Sequence, residues 1–235
     1  MILPIGISHD HQYRLRKAPQ VDSNIYNVNF TTYIISMPRQ ALTDQDIESF
    51  RTNAVHEATM LFAEHGYDGF TMRGLAKAMG CSPMKAYRYF ENRDEVFAQV
   101  RLDAFKRFAD EQAAAYAEGQ DPRDTLLRLK EAYIKFATRE PHAYAIMFQL
   151  TPVPQDYPGL NEESFRGFSY LLKATKAAVA AGIFEGDALT IAHLLWSNTH
   201  GLVTLHLAGR LIVGRDLDAL ASVVLEAPTL KETHS

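Results

Sequence analysis

Apolar side chains recur every three to four residues through most of the chain, the spacing of an amphipathic helix. Ile47, Phe50, Ala54, Ala58, Leu61 and Phe62 set the pattern, and Gly66 ends it. Every later stretch but the one at Pro141 opens on a side chain able to accept from free N–H groups at a helix start. Thr71 opens a short helix to Met79, closed by Gly80. Ser82, with Pro83 at the first helical position, opens another to about Phe90. Asn92 opens a long one to about Glu118, Asp121 one to Arg139, and Pro141 a short one to Leu150. Residues 151–160 carry three prolines and a glycine and read as a loop. Asn161, Asp187 and Asp216 are read as caps for the last three helices, ending near Ala181, Gly209 and Glu226. The expected fold is all-α: a three-helix helix-turn-helix unit, then a six-helix bundle.

Residues 1–36 break this pattern. Val21 to Ser36 holds three Asn, three Ile and two Tyr, but no Ala, Gly, Lys or Arg. Two readings stand. Residues 1–36 are an atypical extension read through upstream DNA, with the natural start at Met37, or they are an N-terminal arm with a short strand at 26–35. The first would be overturned by a native N-terminus near Met1. The expected domains are then residues 43–91 for nucleic acid and 92–228 for effector binding and dimerisation, with a tail at 229–235.

The 235 residues are 47% hydrophobic and 22% charged, ordinary for a globular chain. The one cysteine, Cys81, excludes an intrachain disulfide and fits a reducing compartment. No run reaches a membrane helix, and the first residues do not form a signal peptide, so a cytoplasmic protein is expected. No cofactor motif or metal-ligand set is found, and no phosphate loop or nucleophile elbow occurs. His193, Trp196 and His200 share one helical face but lack a well-phased third ligand, so they read as helix-packing groups. Gly167 and Gly201 suggest close helix approach.

The net charge of −4 is unevenly spread. Between residues 71 and 93 stand Arg73, Lys77, Lys85, Arg88 and Arg93 against Glu91 alone, while 44–68 holds six acids and one Arg. A local basic stripe on a helix-turn-helix is the footprint of a DNA contact. At about 100° per residue, Ala86 and Phe90 share the inner face of the second short helix. Met84, Lys85 and Arg88 take the outer face, with Tyr87 and Tyr89 on its flanks. Lys or Arg can donate to guanine edges and Met84 can touch a thymine methyl. The helix start at Ser82 and Pro83 can hold a backbone phosphate, and Arg73 of the basic stripe is counted among the DNA-binding candidates.

The run AEHGYDGFTMRGLAKAMGCSPMKAYRYFENRDEVFAQV, Ala63 to Val100, resembles the DNA-binding domain of the TetR family of bacterial transcriptional regulators. Gly80-Cys81-Ser82 matches its turn, and Tyr87-Arg88-Tyr89-Phe90 its recognition-helix signature. The departures are Pro83-Met84, Cys81 and Tyr89. The resemblance implies phosphate contacts from Thr71, Tyr87, Tyr89 and Arg93, and base contacts from Met84, Lys85 and Arg88. It implies a homodimer formed through the last two helices, a double-stranded DNA operator, and a small-molecule effector in the C-terminal domain. Trp196 to Leu202 resembles the Trp…His-Gly motif of one C-terminal subclass. The aromatics expected to supply the effector site are Phe105, Phe108, Tyr133, Phe136, Tyr144, Phe148, Phe168 and Trp196, with His200 as a polar contact. The function so implied is a ligand-responsive repressor, not an enzyme. Two alternatives are an enzyme with an accessory helix-turn-helix and a helical protein-interaction module.

Overall fold

The computed structural model describes residues 43–148 and 157–223. The readings placed on residues 1–36 and on the tail 229–235 lie outside them, as does most of the loop expected at 151–160. Among the described residues there are nine helices and no strand.

Helix α1 (Asp44–Gly69) starts at a reciprocal cap: the Thr43 N–H donates to the Asp46 carboxylate, and the Asp46 N–H to the Thr43 hydroxyl. Gly66, at φ 70°, interrupts it where the pattern placed its end, and one further turn follows to Gly69. Then follow α2 (Met72–Ala78), α3 (Pro83–Ala86) and α4 (Arg93–Ala117). The bundle continues with α5 (Pro122–Arg139), α6 (Pro141–Phe148), α7 (Leu160–Ala180), α8 (Ala188–Leu207) and α9 (Leu217–Ala221). Asn92, Asp121, Asp187 and Asp216 all cap as expected. Asn161 does not: the cap lies two residues earlier, at Gly159 in the left-handed region, and α7 begins at Leu160, so Asn161 lies inside the helix.

Helix α4 is the common axis, touching α1, α5, α6 and α7. Its first half joins a core with α1, α2 and the α3 turn, in which Phe62 stacks on Phe70 and Phe97 meets Phe62 and Tyr67 edge-on. Its second half joins a separate core with α5, α6 and α8 around Phe108, Tyr133 and Phe136. A third cluster, around Leu126, Leu129 and Leu195, closes the far end. No described helix is long and apolar enough to cross a membrane.

Candidate nucleic-acid interface and buried cavity

Helices α2 and α3 are set by their ends. The Thr71 hydroxyl accepts from the Gly74 N–H at 3.0 Å. After Met79, Gly80 takes φ 61°, and two closing bonds form: Gly80 N–H to the Lys77 carbonyl and Cys81 N–H to the Ala76 carbonyl. Glycine adopts that left-handed conformation without steric cost, which fixes the tight turn. The Ser82 hydroxyl then accepts from the Lys85 N–H at 3.3 Å to start α3.

The reading surface differs from the helical-wheel expectation at one position. Helix α3 ends at Ala86, not Phe90. Beyond it, Arg88 N–H bonds to the Lys85 carbonyl and Tyr89 N–H to the Ala86 carbonyl, a tighter three-residue winding. That winding turns Tyr89 inward. It is 7% exposed and stacks on Phe50 at 3.9 Å, so it is not the exposed flanking tyrosine that was expected. Ala86 and Phe90 face inward as expected. Arg51 of α1 holds this turn: its guanidinium donates to the Tyr89 carbonyl at 2.9 Å and lies over the Phe90 ring.

Met84 is 78% and Tyr87 54% exposed, and Thr71, Arg73, Ser82, Pro83, Lys85 and Arg88 are exposed too. The Lys85 ammonium sits 5.1 Å from the Phe50 ring centroid, at the margin of the face. Arg93 is half-buried, with its guanidinium 4.6 Å over the Tyr67 ring and its Nε 3.6 Å from Asp94. Asp94 also accepts from the Tyr67 hydroxyl at 2.5 Å. Burial first, and then Asp94, push the Tyr67 phenol above its usual range.

A cavity of about 510 Å³ opens between α4, α7 and α8. Of the expected residues, Phe105, Phe108, Tyr133, Phe148, Phe168 and Trp196 line it. Phe136, Tyr144 and His200 do not. Phe136 is fully buried against Phe108, edge to face, behind the cavity wall. Tyr144 and His200 form a cluster with Tyr133 there: the Tyr144 hydroxyl lies 2.7 Å from His200 Nδ1 and 3.0 Å from the Tyr133 hydroxyl. Burial pushes both phenols up and the His200 imidazole down.

Sequence reasoning missed Gln112, Ser164, Phe165, Ser169, Leu189 and His193 as lining residues. Gln112 stands four residues after Phe108, on the same face of α4, and His193 three before Trp196 on α8. That shared phase was the available signal. Gly167 is a close approach, as expected: a methyl there would meet the Phe108 ring at 2.9 Å. A methyl at Gly201 would meet nothing within 4 Å, so no neighbour among the described residues crowds it. No described cluster of His, Cys, Asp and Glu could hold a metal ion.

Comparison with known proteins agrees with this architecture. A family model described as "Bacterial regulatory proteins, tetR family" matches residues 54–100. Another, described as "Tetracyclin repressor-like, C-terminal domain", matches residues 126–227. Together they span more than half of the chain. The HTH-type transcriptional regulator Rv1816 of Mycobacterium tuberculosis H37Rv is 24% identical over 198 residues, covering 71% of this chain and 83% of the relative. Among solved structures, the regulatory protein SCO4313 superposes with a TM-score of 0.65 at 27% identity, over 78% of this chain and 97% of that one. The regulator FadR from Bacillus subtilis, solved in complex with stearoyl-CoA, gives a TM-score of 0.62 at 19% identity, over 74% and 95%. At that identity the likeness shows the fold alone.

Proposed function

The chain belongs to the TetR family of bacterial regulatory proteins, a transcriptional regulator and not an enzyme, and from that premise we propose that it is a homodimeric repressor which leaves a near-palindromic operator when a small apolar molecule enters the cavity. Residues 43–91 would hold the DNA and residues 92–228 the effector and the partner copy.

The observation that carries the ligand response is the position of α6. Phe148 at its end lines the cavity, while Ile146, two residues earlier, is buried in the core that supports α2 and α3. The Ile146 carbonyl also accepts from Arg101 Nε of α4 at 3.1 Å. A ligand that displaces Phe148 therefore pushes on the seat of the DNA-reading helix. Only a ligand that binds the DNA-incompetent arrangement more tightly can shift the balance, and typical coupling of about 1–3 kcal/mol changes operator affinity about 5–150-fold.

An exposed stripe on α8 supports the dimer. Leu194 and Leu205 stand in solvent on the face of Gly201, where a second backbone can come close. A two-fold axis there would set two α3 faces about 34–36 Å apart, one turn of DNA. Met84, Lys85 and Arg88 would read base edges, and Thr71, Arg73 and Tyr87 would hold phosphates.

The test is selection of bound fragments from genomic DNA with the purified full chain, followed by titration at several salt concentrations. A near-palindromic site whose affinity falls steeply with salt is expected. Salt-insensitive binding, or no selected site, overturns the reading. An operator that no apolar compound releases overturns the ligand response alone.

A further inference from the structure

We propose that the cavity receives an uncharged, largely apolar ring compound carrying a hydrogen-bond acceptor, and that the side-chain amide of Gln112 binds that acceptor. The proposal rests on the cavity being the effector site, and it adds the chemistry of the effector. No Asp, Glu, Lys or Arg is among the described lining residues. The walls are aromatic: Trp196 lies edge to face with Phe168, and Phe148 borders both Phe105 and Trp196. Such rings favour stacked and edge contacts with a ligand ring.

Most polar groups of the lining are already engaged within the protein. The Ser164 and Ser169 hydroxyls donate to the Asn161 and Arg166 carbonyls of their own helix. The Tyr133 hydroxyl belongs to the cluster with Tyr144 and His200. His193 Nδ1 lies 2.9 Å from the Leu189 carbonyl, a geometry that makes this nitrogen the donor. Among the described lining residues, Gln112 carries the buried atom without a partner. It is 3% exposed, it lines the cavity, and its amide nitrogen has no hydrogen-bond partner among the described residues.

A buried donor left unpaired is costly, and an acceptor on a ligand that reaches this nitrogen removes that cost. The acceptor belongs on a neutral group such as a ketone, ether or ester. A carboxylate would be buried with no Lys or Arg among the described lining residues to offset its lost hydration. Gln112 thus stands as a specificity determinant in an otherwise greasy site.

The experiment uses the full chain and three naphthalene probes: 6-propionyl-2-(dimethylamino)naphthalene, its propyl analogue without the carbonyl, and 6-(dimethylamino)naphthalene-2-carboxylate. Binding is measured by fluorescence titration on wild type, Gln112→Met and Gln112→Leu. Both variants are expected to bind the ketone about tenfold more weakly, one hydrogen bond's worth, while the propyl probe binds as well or better. Both ligand-free variants are expected to melt at or above the wild-type temperature, because an orphan donor has gone.

Equal changes for ketone and propyl probe overturn the proposal, as does a carboxylate that binds as tightly as the ketone. A lower melting temperature in both variants overturns it too, because Gln112 would then be holding the fold. If none of the probes binds, the effector site itself falls, and this inference with it. If the ketone binds through Gln112 but leaves operator affinity unchanged, this inference stands and the ligand response falls.

Discussion

Met84 and Tyr87 stand in solvent on the turn that follows Gly80, while Gln112 and Tyr133 are closed off where α4 meets α5, α7 and α8. The first region is built from neighbours in sequence. A cap at Ser82, a left-handed Gly80 and a proline at the helix start shape it, and Phe50 and Arg51 of α1 seat it. The second exists only because five helices, α4 to α8, leave a gap between them. The contrast teaches that the exposed turn and the cavity depend on different kinds of information, local geometry in one case and packing in the other. They meet at α6, where Ile146 belongs to the first region and Phe148 to the second.

The largest expected effect separates a packed core from a cavity wall. Phe97 is fully buried and meets Phe62 and Tyr67 edge-on. Phe97→Ala should cost about 3–5 kcal/mol of stability in urea unfolding. Phe148 already borders empty space, so Phe148→Ala should cost clearly less. Equal losses would mean that the cavity is filled or collapsed in solution, and the contrast would fail.

Next comes the reading surface. Arg88→Ala should weaken specific operator binding by about 1–3 kcal/mol, with folding stability changed by less than about 0.5 kcal/mol. Tyr87→Phe should weaken binding to all sequences alike, as loss of a phosphate contact does. Tyr89→Phe should leave binding unchanged, because that ring lies against Phe50. An operator-binding loss in Tyr89→Phe matching that of Tyr87→Phe would restore both tyrosines to the DNA flanks. A smaller effect tests the turn: Gly80→Ala meets no steric contact but keeps φ 61°, so it should cost about 1–2 kcal/mol, the ordinary penalty of a side chain in that region.

The sequence made the first region legible because its signals act over three or four residues. Thr43, Thr71, Ser82 and Asn92 each bond to an N–H three positions on, and that spacing is visible without a structure. It failed at Tyr89 because a constant 100° per residue was carried past Ala86, where the winding tightens. It failed at Asn161 because the chain enters α7 through Gly159, whose left-handed conformation depends on the preceding path. In the second region the aromatics were readable as a set, but not which of them face the gap. Phe136 and Phe108 lie three residues apart from Tyr133 and Phe105 respectively. Only the crossing of α4 and α5 puts Phe108 at the wall and Phe136 behind it.

The smallest effect concerns acid, and it sets the two regions apart by pH. Burial lowers the His200 pKa from the ordinary 6.5. The unfolded chain therefore takes up a proton on His200 before the folded chain does. Stability from this group is complete above pH 6.5 and declines as pH falls below it, until the folded imidazole also protonates. The cap carboxylates behave differently. Hydrogen bonds from Thr43 lower the Asp46 pKa, and bonds from Thr190 lower that of Asp187, so their contributions persist down to the carboxylate range. Asp103, raised by burial, opposes them by favouring the folded chain as acid is added in that same range. Acid should thus loosen the bundle that holds the cavity first, with a slope of at most one proton, and touch the α1 cap only later. His200→Asn keeps an acceptor for the Tyr144 hydroxyl but cannot titrate near neutrality. The variant should flatten the stability profile between pH 7 and the carboxylate range and leave the steeper loss below it unchanged. A wild-type profile that is already flat there would show that His200 reaches water freely, and that the cluster behind the cavity is as open to solvent as the face of α3.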